Sequence, residues 1–170
     1  MNKLKKLSLI LLALTAMSLV VSSVSACGCG PNNGKVTGGG QIPLCGGKAS
    51  FGFNAMEYSR DDGPKGELQY VDHVTGMQVH AHIIETLWVA EYWSGNKPYP
   101  MRQARFTGPC TVNHTSGYSF IVWVADEGEP GKHDQFYIDI VGPGGFHYEA
   151  PQGSEVELLS GNIQIHKPPK

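Results

Sequence analysis

Charge is scarce in this 170-residue sequence: Asp, Glu, Lys and Arg make up 16% of it, against about 25% in a typical soluble domain. It contains no long run of like charges, so it does not read as a disordered chain. The formal net charge of −2 excludes the basic footprint of a nucleic-acid binder. A stretch long enough for a spanning helix is missing too. The longest apolar stretch, Leu7 to Val21, has 15 residues broken by Ser8, Thr15 and Ser18, short of the ~20 that cross a bilayer. No Gly-x-Ser-x-Gly nucleophile elbow occurs. Gly38-Gly39-Gly40 is followed by neither the Lys-Ser/Thr of a phosphate loop nor a helix pattern. The four Cys lack the C-x₂₋₄-C spacing of zinc sites.

What the sequence has in plenty is Gly, 22 residues, and Pro, 11. A helix-interior Gly costs about 1 kcal/mol relative to Ala, and a Pro about 3. Scattered as they are, they exclude long helices beyond the N-terminal segment. The length fits about one domain. Turn material (DGP, TG, SGNKPYP, NHTSG, DEGEPGKHD, GPGG, APQG) separates strand-like segments near 36–42, 48–56, 67–74, 77–93, 102–113, 118–125, 136–141, 146–149 and 154–166. The 77–93 run places Val79, Ala81, Ile83, Leu87 and Val89 on one parity. That predicts one long bent strand or two strands. The expected fold is all-β, a single antiparallel meander of about eight or nine strands, closed as a small barrel or folded as a sandwich.

Residues 1–26 read as a signal peptide of the lipoprotein type. Lys3, Lys5 and Lys6 precede the apolar stretch, and Val24-Ser25-Ala26 supplies small residues before a cleavage site. Val24-Ser25-Ala26-Cys27 resembles a bacterial lipobox, which makes Cys27 the lipidated first mature residue; plain secretion is the alternative. Of 13 Lys and Arg, the three signal lysines leave 10 against 15 Asp and Glu, a mature charge of −5. Residues 27–34 have linker composition, and residues 35–167 form the β domain. An exported compartment permits disulfides. Cys45–Cys110 is the preferred pair, with Cys29 free or paired to Cys45 instead.

VTGGGQI, GGKASFGFNA, LQYVDHVTGMQVH, FTGPCTVNHTSGYSFIVWVADEGEPGKHDQFYI and GNIQIH together resemble the post-COAP-1 type of bacterial and archaeal surface domain, over roughly 35–167. The resemblance implies an extracytoplasmic all-β domain, usually set at the ends of large exported proteins beside Ig-like or PKD-like modules. It implies no activity, cofactor or catalytic residue. A domain standing alone behind a lipobox departs from that setting.

Several side-chain groups are candidates for chemistry. His80 and His82, at i and i+2 of a strand, point to one face. With Gly76, Glu85 and the later Pro143-x-Gly145-x-His147, they loosely resemble the metal motifs of cupins. A divalent metal on His80, His82 and His147 would then support a cupin-like enzyme. Glu85 has the wrong parity and needs a bulge to join them. The competing reading is two half-exposed strand histidines. Asp126, Glu127, Glu129 and Asp134 are candidate oxygen ligands for Ca²⁺, or else belong to a solvated hairpin connection. Asp72 and His73 face opposite sides of a strand, so Asp72 is expected to bond turn N–H groups. Cys110 and His114 stand roughly 13 Å apart along a strand, too far for a dyad. Asn113-His114-Thr115 is a sequon that matters only in a glycosylating host. Trp88, Tyr92, Trp93, Tyr99 and Tyr118 either line a carbohydrate or peptide surface or pack as core and cross-strand pairs.

The composite expectation is an exported domain, lipid-anchored at the cell membrane or extracellular, with a structural or binding role and no catalysis. Loops such as Ser94–Pro100 and Lys132–Asp134 are expected to meet a cell-wall, glycan or surface-protein partner. In a bacterial host, mass spectrometry is expected to find a mature chain starting at an acylated Cys27. An unmodified Cys27 refutes the tether.

Overall fold

Strands of alternating polarity, each ended by a Gly, Asn or Asp turn, leave the chain no route but back along itself. The computed structural model describes residues 34–58, 62–92, 101–128, 131 and 133–166. The strands in chain order are β1 (Gly34–Leu44), β2 (Gly47–Glu57), β3 (Lys65–Asp72), β4 (Gln78–Ala81), β5 (Thr86–Tyr92) and β6 (Met101–Val112). There follow β7 (Thr115–Asp126), β8 (Gln135–Gly142), β9 (Phe146–Ala150), β10 (Val156–Glu157) and β11 (Ser160–His166). A three-residue 3₁₀ turn, Pro143–Gly145, links β8 to β9. All pairings are antiparallel.

The single sheet runs β10-β8-β7-β6-β4-β3-β2-β1-β11, with β5 also on β6 and β9 also on β8. Eleven strands arise where nine segments were expected, because 77–93 and 154–166 each divide in two. The first division is a bulge. Val79 lies opposite Val112 and Thr86 opposite Thr107. Seven steps on one strand therefore face five on the other. Two surplus residues keep Leu87 on the parity of Val79 and Ala81, but alternation breaks inside the bulge, where Ile84 is buried and Ile83 exposed, the opposite of the sequence-based expectation. The bulge requires a glycine across from it, since a Cβ on Gly108 would run into the Ile83 carbonyl oxygen.

The sheet curls until its halves face each other. Phe51 on β2 stacks on Phe136 of β8 with ring centroids 4.0 Å apart. Phe53 meets Phe106 at 5.0 Å, and Phe106 meets Phe120 edge-on at 6.0 Å. Such pairs add about 0.5–1.5 kcal/mol each beyond the area they bury. Gly38 on β1 is the counterpart of this packing. A Cβ there would lie 2.6 Å from the Phe53 ring, so the glycine makes room for the phenyl.

Among the described residues, backbone hydrogen bonds do not close the curled sheet, so of the two expected forms the closed barrel is not formed. Side chains bridge the gap instead. The Ile163 N–H donates to Asp134 Oδ2 at 2.7 Å, and the Ile165 N–H to Asp126 Oδ2 at 2.9 Å. The Ile165 carbonyl accepts from Arg102 at 3.2 Å. The other carboxylate oxygens hold their own loop: Asp134 Oδ1 accepts from Glu127 N and Asp126 Oδ1 from Gly128 N. Asp134 is fully buried. The candidate Ca²⁺ ligands Asp126 and Asp134 are thus engaged with backbone N–H groups, which a sequence cannot disclose. Glu129 lies outside the described residues.

The expected Cys45–Cys110 bridge is absent. Cys45 is exposed in the β1–β2 turn, while Cys110 is buried on β6 facing the core, and both are free thiols. Cys27, Cys29 and the expected signal segment lie outside the described residues.

Hydrogen bonds to charged groups contribute about 1.5–3 kcal/mol each. Asp134→Ala is therefore expected to cost about 3 kcal/mol or more, and Asp126→Ala less, because Asp126 is only half-buried. Gly38→Ala is expected to cost about 1–3 kcal/mol by overpacking against Phe53. Urea midpoints of the three variants check this order.

Candidate functional site

The two ends of the curled sheet differ. β1 begins and β11 finishes at one end, where Lys35 faces His166. At the other end lie the β1–β2, β3–β4, β6–β7 and β8–β9 turns. We call these the terminal pole and the turn pole.

The turn pole is organised by Asp72, the last residue of β3, which is 3% exposed. Its Oδ1 accepts from Val74 N at 2.7 Å and Thr75 N at 3.1 Å. Its Oδ2 accepts from the Thr75 hydroxyl at 2.8 Å and from the Tyr148 hydroxyl at 3.2 Å. The turn role expected of Asp72 is therefore present, and His73 faces away to pair with Ser50 at 2.9 Å. Tyr148 on β9 also shares a 2.8 Å hydrogen bond with the Tyr70 hydroxyl of β3. The result is a hydrogen-bonded chain from buried Tyr70 through half-buried Tyr148 and buried Asp72 to exposed Thr75.

Burial works to raise the Asp72 pKa, but its four hydrogen bonds outweigh burial and hold it below the ordinary 3.8. Burial, aided by the nearby Asp72 charge, pushes Tyr148 up to about 12. Tyr70 rises further, chiefly by burial and then by its bond to Tyr148. The chain is thus one carboxylate stabilised by neutral hydroxyls.

Two clefts open above this chain, sharing Thr75 and Tyr148. One, about 390 Å³, is walled by Pro43, Leu44, Val74 and Pro151. The other, about 460 Å³, is walled by Met77, Asn113, Tyr118 and Phe146. Apolar walls around a few fixed polar groups are the usual make-up of a ligand site. The β6–β7 turn that borders the second cleft has positive φ at both Asn113 and His114, the two-residue type I′ form favoured by strand twist. Asn113 is held there by Gln78, whose N–H donates to Asn113 Oδ1 at 2.9 Å.

The histidines singled out in the sequence do not come together. The His80 ring lies beside that of His114, centroids 6.3 Å apart. His82 is exposed just past β4. His147 on β9 pairs with Asp139 of β8 at 3.0 Å. A bulge does interrupt the strand before Glu85, yet among the described residues no three His, Cys, Asp or Glu side chains are grouped to hold a metal. Cys110 is equally unsuited to nucleophilic work, since burial pushes its thiol up to about 11.

Of the loops expected to meet a partner, Ser94–Pro100 and Lys132 lie outside the described residues. His133 pairs with Glu157, and Asp134 is buried at the gap in the sheet. Trp88 faces outward, and Tyr118 packs edge-on against Phe146 at 5.1 Å. Trp93 and Tyr99 lie outside the described residues. The Tyr70–Tyr148 contact joins residues far apart in the chain and has no local signal. Its only sequence trace is a Tyr on the inward parity of each strand.

No family model, curated protein or solved structure matches the chain.

Tyr148→Phe leaves the buried Tyr70 hydroxyl without its partner and Asp72 short of one donor, at an expected cost of about 1–3 kcal/mol. Asp72 has a lowered folded pKa, so its stabilisation is present above about 3.8 and is lost as pH falls through the folded value. Tyr148 has a raised one, so stability is kept below about 10 and declines as pH rises toward about 12. Acid unfolding of Tyr148→Phe is expected to begin at a higher pH than in the wild type, and its alkaline limb to be shallower. Circular dichroism across both limbs checks this.

Proposed function

We propose that the chain is an exported, lipid-anchored domain of the cell envelope that binds a ligand or partner at its turn pole and carries no catalytic activity. The observation that carries this reading is the separation of the two poles. β1 starts at Gly34 and reaches the β1–β2 turn after 11 residues. At about 3.3 Å per residue that spans roughly 35 Å. A tether at Cys27 would precede the strand that starts at the terminal pole, the end opposite both clefts. Acyl chains hold such a domain at about 0.8 kcal/mol per buried CH₂.

The resemblance to post-COAP-1 surface domains supports an extracytoplasmic setting. The mature charge of −5 supports neither nucleic acid nor an anionic lipid surface as partner. Candidate partners are a cell-wall polymer, a glycan or a surface protein.

Purified mature protein is to be incubated with insoluble peptidoglycan and with envelope polysaccharide. Wild type is expected to be retained by one of them. Val74→Trp, filling the first cleft, or Thr115→Trp, filling the second, is expected to cut retention about tenfold, the loss of about 1.4 kcal/mol. Retention by neither material, or retention untouched by both variants, overturns the reading. So does one tightly held equivalent of Zn, Ni, Cu or Mn that His80→Ala, His82→Ala or His147→Ala releases, an outcome that favours the cupin-like enzyme.

A further inference from the structure

We propose that the outer face of β5, β6, β7 and β8 is a second binding site, for an acidic saccharide, a sugar that carries a carboxylate. The site is distinct from the clefts and does not depend on them.

Side chains on the outer side of neighbouring strands line up by register. Trp88, Arg105, Trp123 and Tyr137 form one row across the four strands. The Arg105 guanidinium lies over the Trp123 ring, 5.4 Å from its centroid. Trp88 meets Trp123 edge-on at 6.2 Å and is 36% exposed. Next to this row, the hydroxyls of Thr86 and Thr107 share a 2.7 Å hydrogen bond.

The charges on this face are unevenly engaged. Asp139 pairs with His147 at 3.0 Å, and Glu149 accepts from the Tyr137 hydroxyl at 3.0 Å. Arg105 has a ring beneath it and, among the described residues, no carboxylate partner. A guanidinium stacked this way keeps its planar edge of N–H donors aimed outward, a shape that matches a carboxylate bidentately. Beside it, the exposed Trp88 indole offers a flat apolar surface the size of a sugar ring, and the threonines offer hydroxyl partners. Glu149, Asp139 and Glu155 carry their charge near Tyr137 at one end of the row, and Glu85 is a further carboxylate nearby. It lies on the bulge, beyond the Thr86–Thr107 pair, at a shallow depression of about 240 Å³.

A peptide ligand fits this face less well. Extended peptides are commonly captured by pairing with a strand edge, and β6, β7 and β8 are each paired on both sides. Across those three strands the face presents side chains only, and the free edge of β5, which pairs with β6 alone, lies at its margin.

The test is a titration of the mature domain, followed by tryptophan fluorescence, with oligogalacturonate, its methyl ester, a neutral cello-oligosaccharide and a Glu-rich peptide. Oligogalacturonate is expected to bind, and more weakly as salt rises. Esterification, which removes the carboxylate and alters nothing in the protein, is expected to weaken binding about tenfold. Arg105→Gln is expected to do the same and Arg105→Lys less. Trp88→Ala is expected to cost about fivefold, and Glu85→Gln to tighten binding. Urea midpoints confirm that the variants are folded. Absence of oligogalacturonate binding, equal affinity for the ester, insensitivity to Arg105→Gln, or tighter binding of the peptide overturns the proposal.

Discussion

The structure depends on two aspartates that stand in for a missing strand. β11 is held to β1 along one edge, and its other edge faces a gap that no ladder fills. Asp134 and Asp126 occupy that gap and accept the Ile163 and Ile165 N–H groups, while Arg102 donates to the carbonyl that follows them. A buried N–H left without an acceptor costs about 1–3 kcal/mol, so these contacts decide whether the last strand stays docked over Phe51, Phe53 and Phe136. The same carboxylates brace the β7–β8 connection with their second oxygens. Loop and strand are therefore pinned by one pair of residues.

A third aspartate does comparable work at the opposite end. Asp72 gathers four donors from its own turn and from β9. In each place a short acidic side chain replaces regular backbone pairing where the chain changes direction. The difference lies in what surrounds it. At the terminal pole the surroundings are strand backbone. At the turn pole they are tyrosine hydroxyls beneath two open clefts, so the scaffold there also forms the floor of a site.

Much of this fold was legible in the sequence, because alternation and turn chemistry are local. Phe51 and Phe53, Leu68 and Tyr70, and Phe120, Val122 and Val124 alternate along their strands and are buried together on the inner face. Asp72 was legible as a turn residue for the same reason. What escaped was long-range. The reversal at Ile83 and Ile84 follows from how β4 and β5 share β6, which no window of residues reveals. Asp126 and Asp134 looked like loop carboxylates, since their partners Ile163 and Ile165 lie about 30–40 residues away. Cys45 lies in a turn and Cys110 within β6, and one side chain faces solvent while the other faces the core. The outer row of Trp88, Arg105, Trp123 and Tyr137 exists only once three registers are set.

The acidic cover on β11 also bears on how the molecule behaves in a crowd. An outermost strand with bare N–H and C=O groups is a template on which another chain can continue the sheet, and sheets that grow this way end as aggregates. Here Asp126 and Asp134 already occupy the donors, and a second strand approaching that edge would meet two carboxylates in place of free N–H groups. The residues that finish the fold thus also discourage copies of the protein from stacking edge to edge.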